Sequence, residues 1–117
     1  MKKKHTSFPK QDRLRKRSDF IELTEVGKRV SNDLFVIVYR VTDTGPKIGI
    51  TVTKKVGNAV VRNRVKRSVR EIFRHLSQKE RYPMEMNVIA KTAAATASFQ
   101  EMNVSLQDLF ARIAATP

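Results

Sequence analysis

The chain has 117 residues, 40% of them hydrophobic, which suits one domain folded around one core. It contains no cysteine, which excludes disulfides, thiolate metal sites and cysteine nucleophiles, and its two histidines, His5 and His75, are too few and too far apart for a histidine metal cluster. The formal net charge is +13, no apolar run approaches the roughly 18 to 20 residues of a membrane span, and the basic start lacks the apolar stretch of a secretion signal; the expectation is a cytoplasmic protein.

Residues 1–12 are polar and basic and are broken by Pro9, the pattern of a flexible arm, so the predicted domain is 13–115. Ser18 is placed to cap a short helix with Asp19 and Glu22 in its first turn, Phe20 and Leu23 on one face, and Gly27 as its stop. Leu34 to Val41 is apolar at nearly every position and rich in β-branched and aromatic residues, which predicts a central strand covered on both faces. After the turn cluster Thr42 to Pro46, Lys47 to Thr53 alternates with Ile48, Ile50 and Val52 on one side; the two strands are expected to form a β-hairpin. A short extra strand near Val30 is also compatible with the pattern.

Asn58 follows Lys54-Lys55-Val56-Gly57 and can cap a long helix whose apolar positions, Val61, Val65, Val69, Ile72, Phe73 and Leu76, form one stripe. The chain turns around Tyr82-Pro83, and Met86 to Lys91 is long enough for one more strand. Thr92 to Ala97 is open to either an extended or a helical reading. Ser98 to Glu101 has capping-box spacing, and Phe99, Met102, Leu106, Leu109, Phe110 and Ile113 give the last helix its buried face. The expected fold is α+β, a two-layer α/β sandwich of one small mixed sheet with helices.

The positive charge is not spread evenly. Residues 1–30 hold ten Lys/Arg against four acids, and residues 54–75 hold eight against Glu71 alone; the remainder has six of each. A chain that confines its whole excess to two segments builds a local positive potential suited to a polyanion.

On a helical wheel Asn63, Lys66, Arg67, Arg70 and Arg74 lie opposite the apolar stripe, with Arg64 on one flank and Arg62 in the first turn. Lys54, Lys55 and the free N–H groups near Asn58 extend the same surface. A solvated helix face is the ordinary explanation for such charges. With one acid among 22 residues, however, salt bridging along the helix does not account for these cations, and crowding them costs repulsion in the absence of a polyanion. The arginine fork pairs with phosphate and stacks on bases. Physical reasoning alone decides less firmly between RNA and DNA, although no paired recognition helix or dimerising pattern is visible.

The stretch from Lys54 to Glu71, centred on Arg62-Asn63-Arg64, closely resembles the signature of the protein subunit of bacterial ribonuclease P. The resemblance extends over roughly residues 13 to 113: a basic start ending in a short helix with Phe20, a hairpin, the signature helix, one strand and an amphipathic last helix. It implies a fold shared with a small-subunit ribosomal protein domain. It also implies an endoribonuclease that removes the 5′ leader from precursor tRNA, in which an RNA subunit performs the hydrolysis with magnesium ions. The protein is then auxiliary, carries no catalytic residues and binds no cofactor itself. Its implied partners are the catalytic RNA and the precursor tRNA leader, not DNA or a membrane.

The resemblance further implies that the Arg62-Asn63-Arg64 helix faces the catalytic RNA and that a cleft including Phe20, Val36, Val38, Lys66 and Arg70 holds the leader. Thr24 and Val38 stand where the family often has aromatic residues, which puts the strength of leader stacking in question. Phe20 also has an ordinary alternative, as a core residue of a short amphipathic helix. The rival reading of the whole chain is a structural or ribosomal RNA-binding protein with no part in cleavage.

Overall fold

A computed structural model describes residues 27–41, 47–79 and 84–115, the side chains of 76–79 excepted. The predicted arm 1–12, the helix at Ser18 with Phe20, the turn cluster 42–46, the Tyr82-Pro83 turn and the Leu76 side chain lie outside the described residues. In chain order the elements are β1 (Lys28–Ser31), β2 (Phe35–Val41), β3 (Lys47–Thr51), α1 (Ala59–Lys79), β4 (Met84–Ala90), a 3-10 helix (Thr92–Thr96) and α2 (Phe99–Ala115).

The four strands form one mixed sheet in the order β1-β2-β4-β3. β2 is antiparallel to both β1 and β4, with Ile37 opposite Val30 on one side and Val88 on the other. β3 runs parallel to β4, with Ile50 opposite Val88. The hairpin expected between β2 and β3 is therefore not formed, because β4 lies between them. Alternation identifies a strand without naming its partner. β4 buries Met84, Met86, Asn87, Val88 and Ala90 and takes an interior place beside β2, whereas β3 takes the edge. A parallel β3–β4 pair requires a crossover connection, and α1 supplies it.

Both helices pack on one face of the sheet. Phe35, Ile37 and Tyr39 of β2 join Met86 and Val88 of β4, Val65, Val69, Ile72 and Phe73 of α1, and Met102, Leu106, Leu109, Phe110 and Ile113 of α2 in one core cluster. The apolar stripe predicted for α1 is its buried face, with Val61 half-buried at the entry. The opposite face of the sheet holds a separate small cluster of Val38 with Val36 and Ile89.

The predicted capping box at the start of α2 is present: Glu101 N–H donates to Ser98 Oγ at 3.0 Å, and Ser98 N–H donates to Glu101 Oε1 at 2.8 Å. Phe99 departs from expectation, being 45% exposed. It points in the same direction as Leu106, but the first buried residue of α2 comes later, at Met102. Periodicity fixes a side chain's direction without guaranteeing a neighbour there. Asn32 pins the β1–β2 turn to α2: its Oδ1 accepts from the backbone N–H groups of Leu34 and Phe35 and from Ser105 Oγ, and its Nδ2 donates to the Ser105 carbonyl.

Candidate nucleic-acid interface

The entry to α1 is built by a tight turn. Val56 N–H donates to the Thr53 carbonyl at 3.0 Å, and Val56 is buried, which leaves Lys54 and Lys55 exposed on the outside of the turn. Asn58 then caps the helix, its Oδ1 accepting from Val61 N–H at 3.0 Å, as its position in the sequence predicts. No acidic residue occupies the first turn, so nothing there offsets the positive end of the helix dipole.

Gly57 passes close to this first turn. A methyl group on it would stand 2.9 Å from both Cβ and Cγ1 of Val61, closer than carbon atoms approach without displacement. Gly57→Ala is therefore expected to lower stability by about 1–3 kcal/mol, measured as a shift of the urea midpoint at unchanged slope.

Along α1, Asn63 and Arg67 are exposed, and Arg62, Arg64, Lys66, Arg70 and Arg74 are partly buried. The predicted cationic residues thus share one helix and its entry loop, but their hydrogen bonds divide them. Arg62 Nε donates to the Gly57 carbonyl at 3.1 Å. Arg64, on one flank of the wheel and within reach of a ligand crossing the helix N-terminus, instead donates from Nη1 to the Ala97 carbonyl at 3.2 Å and from Nη2 to that of Ala95. Arg74 is paired with Glu71 at 2.6 Å, and Glu71 also meets His75 Nε2 at 2.9 Å. The Arg74 hydrogen bond, helped by His75 and opposed by partial burial, holds the Glu71 carboxyl below the ordinary carboxylate range. The charge left facing solvent is therefore greatest at the helix entry and its N-terminal half, at Lys54, Lys55 and Arg67, beside the exposed amide of Asn63.

Of the predicted cleft residues, Val36 and Val38 lie on the sheet face turned away from the helices, whereas Lys66 and Arg70 are on α1. The two pairs sit in different layers. Val38 is only 1% exposed and Val36 is half-buried. Strand register adds residues to this face that reading the sequence did not single out. Arg29 stands opposite Val38, Arg40 opposite Glu85, Lys47 beside Glu85 and Thr51 beside Ile89. Arg40 Nε donates to Glu85 Oε1 at 2.9 Å, and Thr51 Oγ1 donates to the buried Asn87 Oδ1 at 3.1 Å. Alternation from Val36 and Val38 would have reached Arg40; the others require the pairing.

A concave region lies between the β1–β2 turn, the 3-10 helix and α2. Its charged lining residues are Asp33, Glu101 and Asp108, with no base among the lining residues. A polyanion is repelled there, which separates this side of the molecule from the cationic entry to α1.

Comparison with known proteins covers nearly the whole chain. The family model described as Ribonuclease P matches residues 8–114. The ribonuclease P protein component of Desulfatibacillum aliphaticivorans is 45% identical over 108 residues, covering 92% of each chain, and that of Geotalea uraniireducens is 43% identical over 94% of this chain and 97% of its own. Among solved structures, the RNase P protein of Staphylococcus aureus superposes with a TM-score of 0.81 at 31% identity, over 89% of this chain and 95% of that one. The RNase P protein of Thermotoga maritima gives 0.78 at 32% identity, over 86% and 96%. Sequence and backbone therefore agree over nearly the same span, and the chain belongs to the ribonuclease P protein family.

Proposed function

We propose that this chain is the protein subunit of a ribonucleoprotein that removes the 5′ leader from precursor tRNA, and that it works by binding RNA while an RNA subunit carries out the hydrolysis. The observation that carries the reading is the conjunction of family membership over residues 8–114 with a cationic helix entry that has no acid in its first turn. In this reading Lys54, Lys55, Asn63 and Arg67, with Lys66 and Arg70, contact phosphates of the catalytic RNA. The sheet face of Val36, with the buried Val38 as its floor and Arg29 and Lys47 at its margins, receives the leader, and Phe20 is assigned to the same task on the family resemblance alone. The protein thereby raises substrate affinity and broadens the range of substrates.

Among the described residues no three His, Asp or Glu side chains come together as metal ligands, so these donors do not fit a magnesium site. We assign the magnesium ions to the RNA and derive no step through them on this chain. No helix among the described residues is long and apolar enough to cross a membrane, and we place the protein's work in the cytoplasm.

The test is reconstitution. The protein is combined with the catalytic RNA of a bacterial ribonuclease P, and cleavage of a precursor tRNA is followed at a magnesium concentration where the RNA alone is nearly inactive. Cleavage at the mature 5′ end should rise on adding the protein. Tight binding with no change in cleavage would establish the structural RNA-binding role instead, and cleavage by the protein alone would show it to be a nuclease in its own right.

A further inference from the structure

The arginines of the Arg62-Asn63-Arg64 triplet differ from the exposed cations around them. Arg64 follows exposed Asn63 and precedes the fully buried Val65, and its guanidinium turns inward to the backbone of the segment between β4 and α2. Its two terminal nitrogens donate to two different carbonyls, those of Ala97 and Ala95. Ala95 lies in the last turn of the 3-10 helix and Ala97 is its C-cap, and carbonyls at a helix C-terminus lack partners within the helix and carry partial negative charge. The terminal edge of the fork, which would otherwise match two phosphate oxygens, is spent on the protein itself.

Apart from this bridge, the segment is held by the Lys91 N–H, which donates to the Leu34 carbonyl at 2.8 Å, by its own turn hydrogen bonds and by small side chains in the core cluster. Its buried side chains are those of Ala94 and Ala97, which remove little apolar surface from water. Arg64 thus ties α1, near its N-terminus, to the junction where α2 begins. Arg62, by contrast, closes only its own entry loop through Gly57.

We infer that Arg64 is a positioning residue for RNA binding: it fixes the N-terminal half of α1 against the 3-10 helix and so sets the orientation of the cationic surface, without delivering its own charge to a phosphate. This rests on the proposed RNA-binding role of α1. Phosphate contact and positioning differ in one measurable respect. Losing a phosphate contact makes the dependence of log affinity on log salt shallower by about 0.7 to 0.9, whereas losing a positioning contact weakens binding at every salt concentration and leaves the slope alone.

Binding of the full chain to the catalytic RNA is measured across salt concentrations for the parent, Arg64→Ala, Arg64→Lys and Arg67→Ala, at a temperature where circular dichroism shows each variant folded. Arg64→Ala should bind about tenfold more weakly with the parent's slope, the equivalent of one charge-assisted hydrogen bond. Arg67→Ala should show the shallower slope. Arg64→Lys keeps the charge without the fork and should recover only part of the affinity. Amide exchange at Ala97 and Ser98 should quicken in Arg64→Ala without RNA present.

A slope in Arg64→Ala as shallow as in Arg67→Ala would make Arg64 a phosphate ligand and overturn the inference. Parent affinity combined with a lower melting temperature would also overturn it, leaving a role in stability alone. Should Arg64→Ala not fold, Arg64→Lys decides by the same readouts: reduced affinity at the parent slope supports positioning, and full affinity refutes it. Absence of salt-dependent binding in the parent would overturn the proposed function instead.

Discussion

Replacing Lys54, Lys55 and Arg67 together by alanine is expected to weaken RNA binding by about a hundredfold near physiological salt, roughly 1 kcal/mol for each lost phosphate contact. All three side chains are exposed and none lies in the core cluster, so the variant should melt with the parent. Over a salt titration its slope should be shallower by about 2 to 3. The effect has a physical source beyond simple charge number. Lys54 and Lys55 sit on a turn held by the buried Val56, and Arg67 sits two helical turns into α1, so the surface they form is prepaid in ordering before RNA arrives. A triple variant that binds with unchanged slope would show that the RNA lies elsewhere, with the sheet face of Val36 and Val38 as the next surface to vary.

The second large effect concerns the joint between the helices. Phe73 of α1 meets Phe110 of α2 with ring centroids 6.2 Å apart and planes tilted by 59°, and both side chains are buried. Phe73→Ala removes this aromatic pair and leaves a cavity between the helices and the sheet, at a cost of about 3–5 kcal/mol. Against the roughly 5–15 kcal/mol that holds a domain of this size together, that is a large share of the total, and it unfolds much of the protein if the parent stability lies at the lower end of that range. The measurement is the urea midpoint at unchanged slope. A loss below about 1 kcal/mol would mean that the two helices repack without this ring.

The two helices were legible in the sequence because their signals are local. Asn58 and Ser98 cap where they are predicted to, and the three- and four-residue spacing of Val65, Val69, Ile72 and Phe73 is the spacing of one helix face. The strands were legible one by one, including the short one at Val30, but their arrangement was not. Nothing in Lys47 to Thr53 distinguishes pairing with β2 from pairing with β4, because both neighbours offer the same backbone groups. The candidate site divides in the same way. Wheel geometry places Asn63 and Arg67 outside, whereas the inward turn of Arg64 depends on carbonyls 31 and 33 residues away. The acidic lining formed by Asp33, Glu101 and Asp108 is likewise assembled from distant segments and leaves no mark in any one of them.

The strand order has a consequence for how the chain is made. As residues emerge from the ribosome in sequence, β1 and β2 can pair at once, but β3 has no neighbour until β4 has followed α1 out. For the interval in which some thirty residues beyond β3 are being translated, the Val-rich β2 exposes one open edge and β3 exposes two. The late strand is thus the keystone of the sheet: a nascent chain cut short before Met84 holds most of the cationic surface but lacks the strand that joins β2 to β3. Slow translation through the α1 region would lengthen the period in which those edges can meet another chain's.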